Sequence, residues 1–164
     1  HSKRKSFDDA LSCFEQAVET QEAIANRIGM ATSLMAKGRC YLDVSDYSGA
    51  ETSLRASLNI FRDAELGFRV VANNLSLAKV YLETNDTKSA SACLEEARDI
   101  ASQQNRMADL ARVSHLEALV LIKNGVDPRE QFETAIEGFE SIGRSREAEA
   151  VSKDYDAYKK GQTG

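Results

Sequence analysis

An all-α solenoid of antiparallel helix hairpins, about eight helices long, is the fold class that this sequence predicts. Three observations carry the prediction. The 164 residues include one proline and nine glycines among abundant Ala, Leu, Glu, Lys and Arg, so little interrupts a helical hydrogen-bond ladder. Apolar side chains step by four and three, as in Phe7, Leu11, Phe14 and Val18, which puts them on one stripe of a helix. Shifting the chain against itself by 40 residues aligns Ala10, Ala50 and Ala90 in one column. Phe14, Leu54 and Leu94 fall in a second column, and Ala17, Ser57 and Ala97 in a third.

The elements follow in order. A first helix near 6–26 carries the Phe7 stripe, and a second near 30–44 carries Gly38, Tyr41 and Leu42. Asp46-Tyr47 then turns the chain, with the acidic side chain placed to cap a third helix near 47–63. Ala78, Tyr81 and Leu82 repeat the Gly38 block in a fourth helix near 67–84, and Asp86-Thr87 opens a fifth near 87–104. Ala118, Leu121 and Ile122 repeat it again in a sixth near 107–124. Asn124-Gly-Val126 makes the third copy one residue longer, and Asp127-Pro128 opens a seventh helix near 128–142, with Pro128 expected in its first turn. The eighth, near 144–160, places Ala148, Val151, Tyr155 and Tyr158 on one side and Lys153, Asp154, Asp156, Lys159 and Lys160 elsewhere, the pattern of a terminal cap. The expected organisation is a disordered or tag-derived lead at 1–5, one domain at 6–160 and a flexible tail at 161–164. Within the domain come a half-repeat at 6–28, repeats near 29–66, 67–106 and 107–143, and the cap at 144–160.

Composition excludes several classes of function. A net charge of −5 disfavours nucleic acid as a partner, and the only basic run, Lys3-Arg4-Lys5, sits at the end of the chain. No apolar run approaches the ~20 residues needed to cross a bilayer, so no membrane contact is expected. Cys13, Cys40 and Cys93 form neither a CxxC pair nor an even set, which reads as free, mostly buried thiols in a reducing, cytoplasmic compartment. The sequons at Asn74 and Asn85 read as chance, the first because it falls in mid-helix.

Gly38, Tyr41, Asp46, Tyr47, Ala50 and Leu54 together resemble the tetratricopeptide repeat pattern: a small residue and an aromatic in helix A, an acidic turn, then an alanine in helix B. The period of 40 in place of the family's usual ~34 is similar to the longer-helix variety of kinesin light chains, polarity adaptors and bacterial signalling regulators. The family's frequent helix-A tryptophan is absent, and Lys37 and Glu117 replace its usual leucine. The resemblance implies a right-handed superhelix whose A helices line a concave groove for a peptide or partner segment. It thereby implies a non-catalytic protein-interaction scaffold, a fragment of a larger signalling or transcription-regulatory protein.

Carried over by register, the groove columns are Thr32, Ala72 and Arg112; Met35, Leu75 and His115; Arg39, Lys79 and Leu119; Leu42, Leu82 and Ile122; and Asp43, Glu83 and Lys123. Arg39 and Lys79, ~10 Å apart on neighbouring A helices, suit acidic groups of a ligand, with Met35 and Leu75 beside them. The alternative is that both bases are solvated or paired with Asp43 and Glu83 one turn on. Asn73 and Asn74 fall outside the columns of the family's carboxylate clamp. The first helix is B-type without its A partner, so a second reading uses Phe7, Leu11, Phe14 and Val18 for self-association or for docking on another domain.

No catalytic constellation emerges. Ser76-Leu-Ala-Lys79 lacks the companions that an SxxK enzyme needs, and no phosphate-binding glycine loop is present. His115 is the only internal histidine and has no Cys set nearby, so neither a metal nor another cofactor is expected.

Overall fold

The computed structural model describes the backbone of residues 2–23 and 26–163, and the side chains of 6–19 and 26–162. Within these the chain forms α1 (Ser2–Ala23), α2 (Arg27–Asp43), α3 (Tyr47–Asp63), α4 (Gly67–Glu83), α5 (Thr87–Gln103), α6 (Met107–Lys123), α7 (Arg129–Ser141) and α8 (Ser145–Thr163). Residues 2–5 and 161–163 are helical. The side chains of Lys3, Arg4 and Lys5, and Gly164, lie outside the described residues.

The physical unit proves to be 20 residues long. Left-handed backbone occurs at Ser45 (φ 63°), Glu65 (φ 54°), Asn85 (φ 58°), Asn105 (φ 52°) and Gly125 (φ 69°), one position in every 20, and again at Gly143 (φ 73°), 18 residues on. Each lets the chain close the preceding helix with a long-range amide bond, such as Asp46 N–H to the Tyr41 carbonyl at 2.9 Å and Leu66 N–H to that of Phe61 at 3.0 Å. The next helix begins at once. The Asn26, Asp46 and Asp86 side chains each accept an amide hydrogen three residues on, from Gly29, Gly49 and Ser89. The Ser89 hydroxyl, together with its backbone amide, holds the Asp86 carboxyl below its ordinary value.

The third hairpin departs from this rule. Asp127 accepts from the Arg129 amide only two residues on, and Pro128 occupies the N-cap position, one residue before the first turn where it was expected. The connection 124–128 is longer than the others, but α7 has 13 residues where α3 and α5 have 17. The last repeat is therefore shorter overall, with α6 beginning at 107 and α8 at 145.

Each helix packs on its chain neighbours, and α4 also touches α2 and α6, so these three form the inner layer with α3, α5 and α7 outside. The columns read from sequence are the seams of this packing. Ala50, Leu54, Ser57, Ala90, Leu94 and Ala97 are fully buried, because α3 lies between α2 and α4, and α5 between α4 and α6. Their counterparts Ala10, Phe14 and Ala17 are only half-buried, because among the described residues α1 packs chiefly on α2. Phe7, Leu11 and Val18 are half-buried too, and the Phe7 ring meets Tyr41 edge-on at 6.0 Å. The stripe expected to be open is thus partly occupied in docking α1 on α2.

Polar pairs fix the register. Lys37 reaches Glu15 of α1 at 3.1 Å, and Glu117 accepts from the Arg98 guanidinium of α5 at 3.0 Å, so the two departures from leucine at this column are each answered from the preceding helix. Asn73, fully buried, donates to the Ser57 hydroxyl at 2.9 Å, which donates to the Ala31 carbonyl at 2.6 Å. Asn74, also fully buried, donates to Glu96 at 2.7 Å, and Arg62 grips the same carboxylate with a second bond at 2.9 Å. Glu96 is therefore turned toward α3 and α4.

The Arg62 bonds, helped by Asn74, hold the Glu96 carboxyl below its ordinary value of 4.5 despite partial burial. A depressed folded-state value means that this stabilisation is complete above the unfolded value and is lost as pH falls through the folded one. Glu96→Gln should accordingly lower stability at neutral pH and flatten its decline below about pH 4.5. Urea melts across that range check this; an acid limb of unchanged slope would rule it out.

Candidate binding groove

The inner helices enclose two adjoining hollows. The larger, of about 560 Å³, lies across α4, α6 and α8. Leu75, Leu116, Leu119, Ile122, Phe139 and Val151 give it an apolar floor, and Lys79, Glu83, Arg112, His115, Lys123 and Glu147 stand around it. The smaller, of about 370 Å³, lies across α2, α4 and α6 and is bordered mainly by Arg39, Asp43, Ser76, Lys79, Asp109 and Arg112. Leu75, Lys79 and Arg112 belong to both.

Every residue of the expected columns lines one hollow or the other, except Thr32 and Met35. Thr32 turns its hydroxyl back onto the Ile28 carbonyl at 3.0 Å. Met35 is buried in the main core cluster, where its unbranched side chain fills space between helices, so the apolar contact expected of it in the groove falls to Leu75 alone.

The charged residues divide by partner. Asp109 is 7% exposed and takes Arg106 and Arg112 on its two oxygens, which occupies Arg112. His115 Nε2 lies 2.7 Å from the Asp154 carboxylate, tying α6 to α8, and Lys123 donates to the Asn85 side chain at 2.9 Å. Glu147 pairs with Arg144 at 2.9 Å. Arg39 donates only to the neutral Ser76 hydroxyl, at 3.2 Å. Among the described residues no ion pair includes Arg39 or Lys79, so the expected alternative of pairing with Asp43 and Glu83 is not formed. Both bases are exposed.

Sequence reasoning missed the fourth wall. Glu147, Ala150 and Val151 of α8 close the larger hollow, with Phe139 of α7 beneath. A shift of 38 residues, rather than 40, aligns Arg112 with Ala150 and would have found it. The same shift places Glu149, Ser152 and Asp156 of α8 where α6 has the buried Ala111, Ser114 and Ala118, which explains the polar outer face of the last helix.

Cys40 and Cys93 are half-buried and Cys13 is exposed, so burial of the thiols is only partial; desolvation pushes Cys93 up to about 11, which leaves it a poor nucleophile. Among the described residues no group of three His, Cys, Asp or Glu side chains could hold a metal, and no helix is long and apolar enough to cross a membrane.

Comparison with known proteins gives the geometry a family. Residues 1–63 match one tetratricopeptide repeat profile and residues 72–104 match another. The chain belongs to the tetratricopeptide repeat family. Tetratricopeptide repeats are protein-interaction scaffolds, and this chain is a repeat scaffold of that kind. The fold is similar to the crystal structure of the apo form of RapI, with a TM-score of 0.67 at 21% identity, over 98% of this chain and 65% of that one. This chain thus spans just under two thirds of the length of that structure. No curated protein matches it.

Proposed function

We propose that this tetratricopeptide repeat chain binds a segment of a partner protein in the concave groove, without catalysis, as a module of a larger signalling or transcription-regulatory protein in the cytoplasm. The supporting observation is the pairing of an apolar hollow with two exposed bases, Arg39 and Lys79, that have no carboxylate partner among the described residues. Neither base supports the fold by an ion pair, and together they offer charge complementarity to an acidic segment. Reversing both, Arg39→Glu with Lys79→Glu, should weaken partner capture about tenfold in a quantitative pull-down, with helical circular dichroism unchanged. Capture at full strength by the folded double variant would sink the groove reading.

A second reading rests on α1. Ala10, Phe14 and Ala17 are only half-buried, while their equivalents in α3 and α5 are sealed. A second copy or another domain covering this edge would complete their burial. Light scattering separates the two: a mass that rises with concentration, and stops rising in Phe14→Glu, favours self-association.

A further inference from the structure

We infer that the groove reads its partner through two unlike seats: one for a bulky apolar side chain in the α4–α6–α8 hollow, and one for a carboxylate on the Arg39–Lys79 shelf, about three residues apart on an extended segment. This rests on the groove reading above and adds the chemistry of the partner.

The seats differ because their linings do. The larger hollow has buried Leu75, Leu116, Phe139 and Val151 in its floor, so a hydrocarbon side chain entering it leaves water without stripping any polar group of a partner. Its volume of about 560 Å³ falls within the range of sites that enclose a ligand. The smaller hollow is polar, and its charges do not cancel locally. Asp109 is spent on Arg106 and Arg112, which leaves Arg39 and Lys79 facing one unpaired acid, Asp43, at the last residue of α2. A ligand carboxylate there meets a guanidinium that keeps free N–H groups and an ammonium with no acceptor among the described residues, the charge-assisted arrangement that carboxylates favour.

Spacing follows from the shared wall. Leu75 and Lys79 of α4 border both hollows, so their centres lie about one helix spacing apart, ~10 Å. An extended chain covers that distance in about three residues at ~3.3 Å each. The occupant is therefore an extended segment of a partner protein with Asp, Glu or a terminal carboxylate about three residues from Leu, Ile, Met or Phe.

The test selects peptides from a random ten-residue display library on the immobilised chain and measures the enriched ones by fluorescence anisotropy. Enriched peptides should share the acid-to-apolar spacing, and changing the acid to its amide should weaken binding about tenfold. Ala150→Trp, which fills the larger hollow from an exposed position, should weaken it at least as much. Lys79→Glu should reverse the preference, so that a peptide with lysine in place of its acid binds better than the original. Peptides that are sensitive to Ala150→Trp but indifferent to their acid and to Lys79→Glu would overturn the two-seat inference while leaving groove binding intact. Peptides indifferent to all these changes, or no enrichment, would overturn both. Self-association abolished by Lys79→Glu would place a second copy in the groove and overturn the assignment to a partner protein.

Discussion

Phe132→Ala is expected to cost about 3–5 kcal/mol and to release the last helix before the rest of the array. Phe132 is fully buried between α6 and α8, with its ring stacked on Tyr155 at 5.0 Å and tilted against Tyr158 at 6.5 Å and His115 at 6.3 Å. Beyond these rings α8 contributes only two buried side chains, Ala148 and Val151, to the fold. Removing the ring forfeits its transfer energy and opens a cavity that the tyrosines can only partly fill. A domain of this size is stable by about 5–15 kcal/mol, so the loss is a large fraction of the total. In a repeat array each unit depends on its neighbours, and among the described residues α8 packs chiefly on α7. Amides of 145–163 should therefore exchange faster while those of α3 to α5 keep their protection, and the urea midpoint should fall. Binding should weaken too, because Ala150 and Val151 leave the wall of the larger hollow. Uniform loss of protection along the chain would show that α8 is not held locally by this ring.

Gly38→Val is the second large effect. A Cβ at Gly38 would lie 2.6 Å from Leu54 Cγ, 3.0 Å from its Cδ2 and 3.2 Å from the Ala50 carbonyl oxygen. Leu54 is fully buried and the Ala50 carbonyl is backbone, so the hairpin of α2 and α3 must part, at about 1–3 kcal/mol or more. Gly38→Ala should cost less, because the gain of roughly 1 kcal/mol in helix propensity offsets part of the clash. The same column behaves oppositely in the next hairpins. Ala78 and Ala118 are fully buried with their methyl groups accommodated, and Ala78→Gly should destabilise by about 1 kcal/mol from propensity alone. Thermal melts of the three variants decide the matter; a Gly38→Val protein as stable as the parent would mean that α2 and α3 do not approach as described.

Much of this architecture was legible because helical packing imposes a periodicity that residues must obey. Ala50 with Ala90 and Leu54 with Leu94 recur because each fills the same sealed seam, so the hairpins could be counted, and ten of the thirteen residues of α4 and α6 that line the two hollows stand in the register columns, all but Ser76, Asp109 and Leu116. The half-period of 20 residues was hidden, since its left-handed positions are filled by Ser45, Glu65, Asn85 and Asn105, and by glycine at Gly125 and, 18 residues on, at Gly143. The α8 wall was hidden by the shortened α7, which moved the register by two residues relative to the earlier repeats. Met35 and Thr32 lie outside both hollows for a different reason: position on a helix fixes the direction of a side chain only roughly, and rotamer and packing decide the rest. The buried Asn73, Asn74 and Glu96 contacts gave no signal in the sequence, because a polar residue on a helix looks solvated until its partner from another helix is known.

Hydrogen exchange of the chain with and without the tightest selected peptide tests the central claim most directly. Binding in the concave groove predicts added protection in α4, α6 and α8 and little change on the outer helices α3 and α5. Protection confined to α1, or to α3 and α5, would contradict it and place the working surface elsewhere.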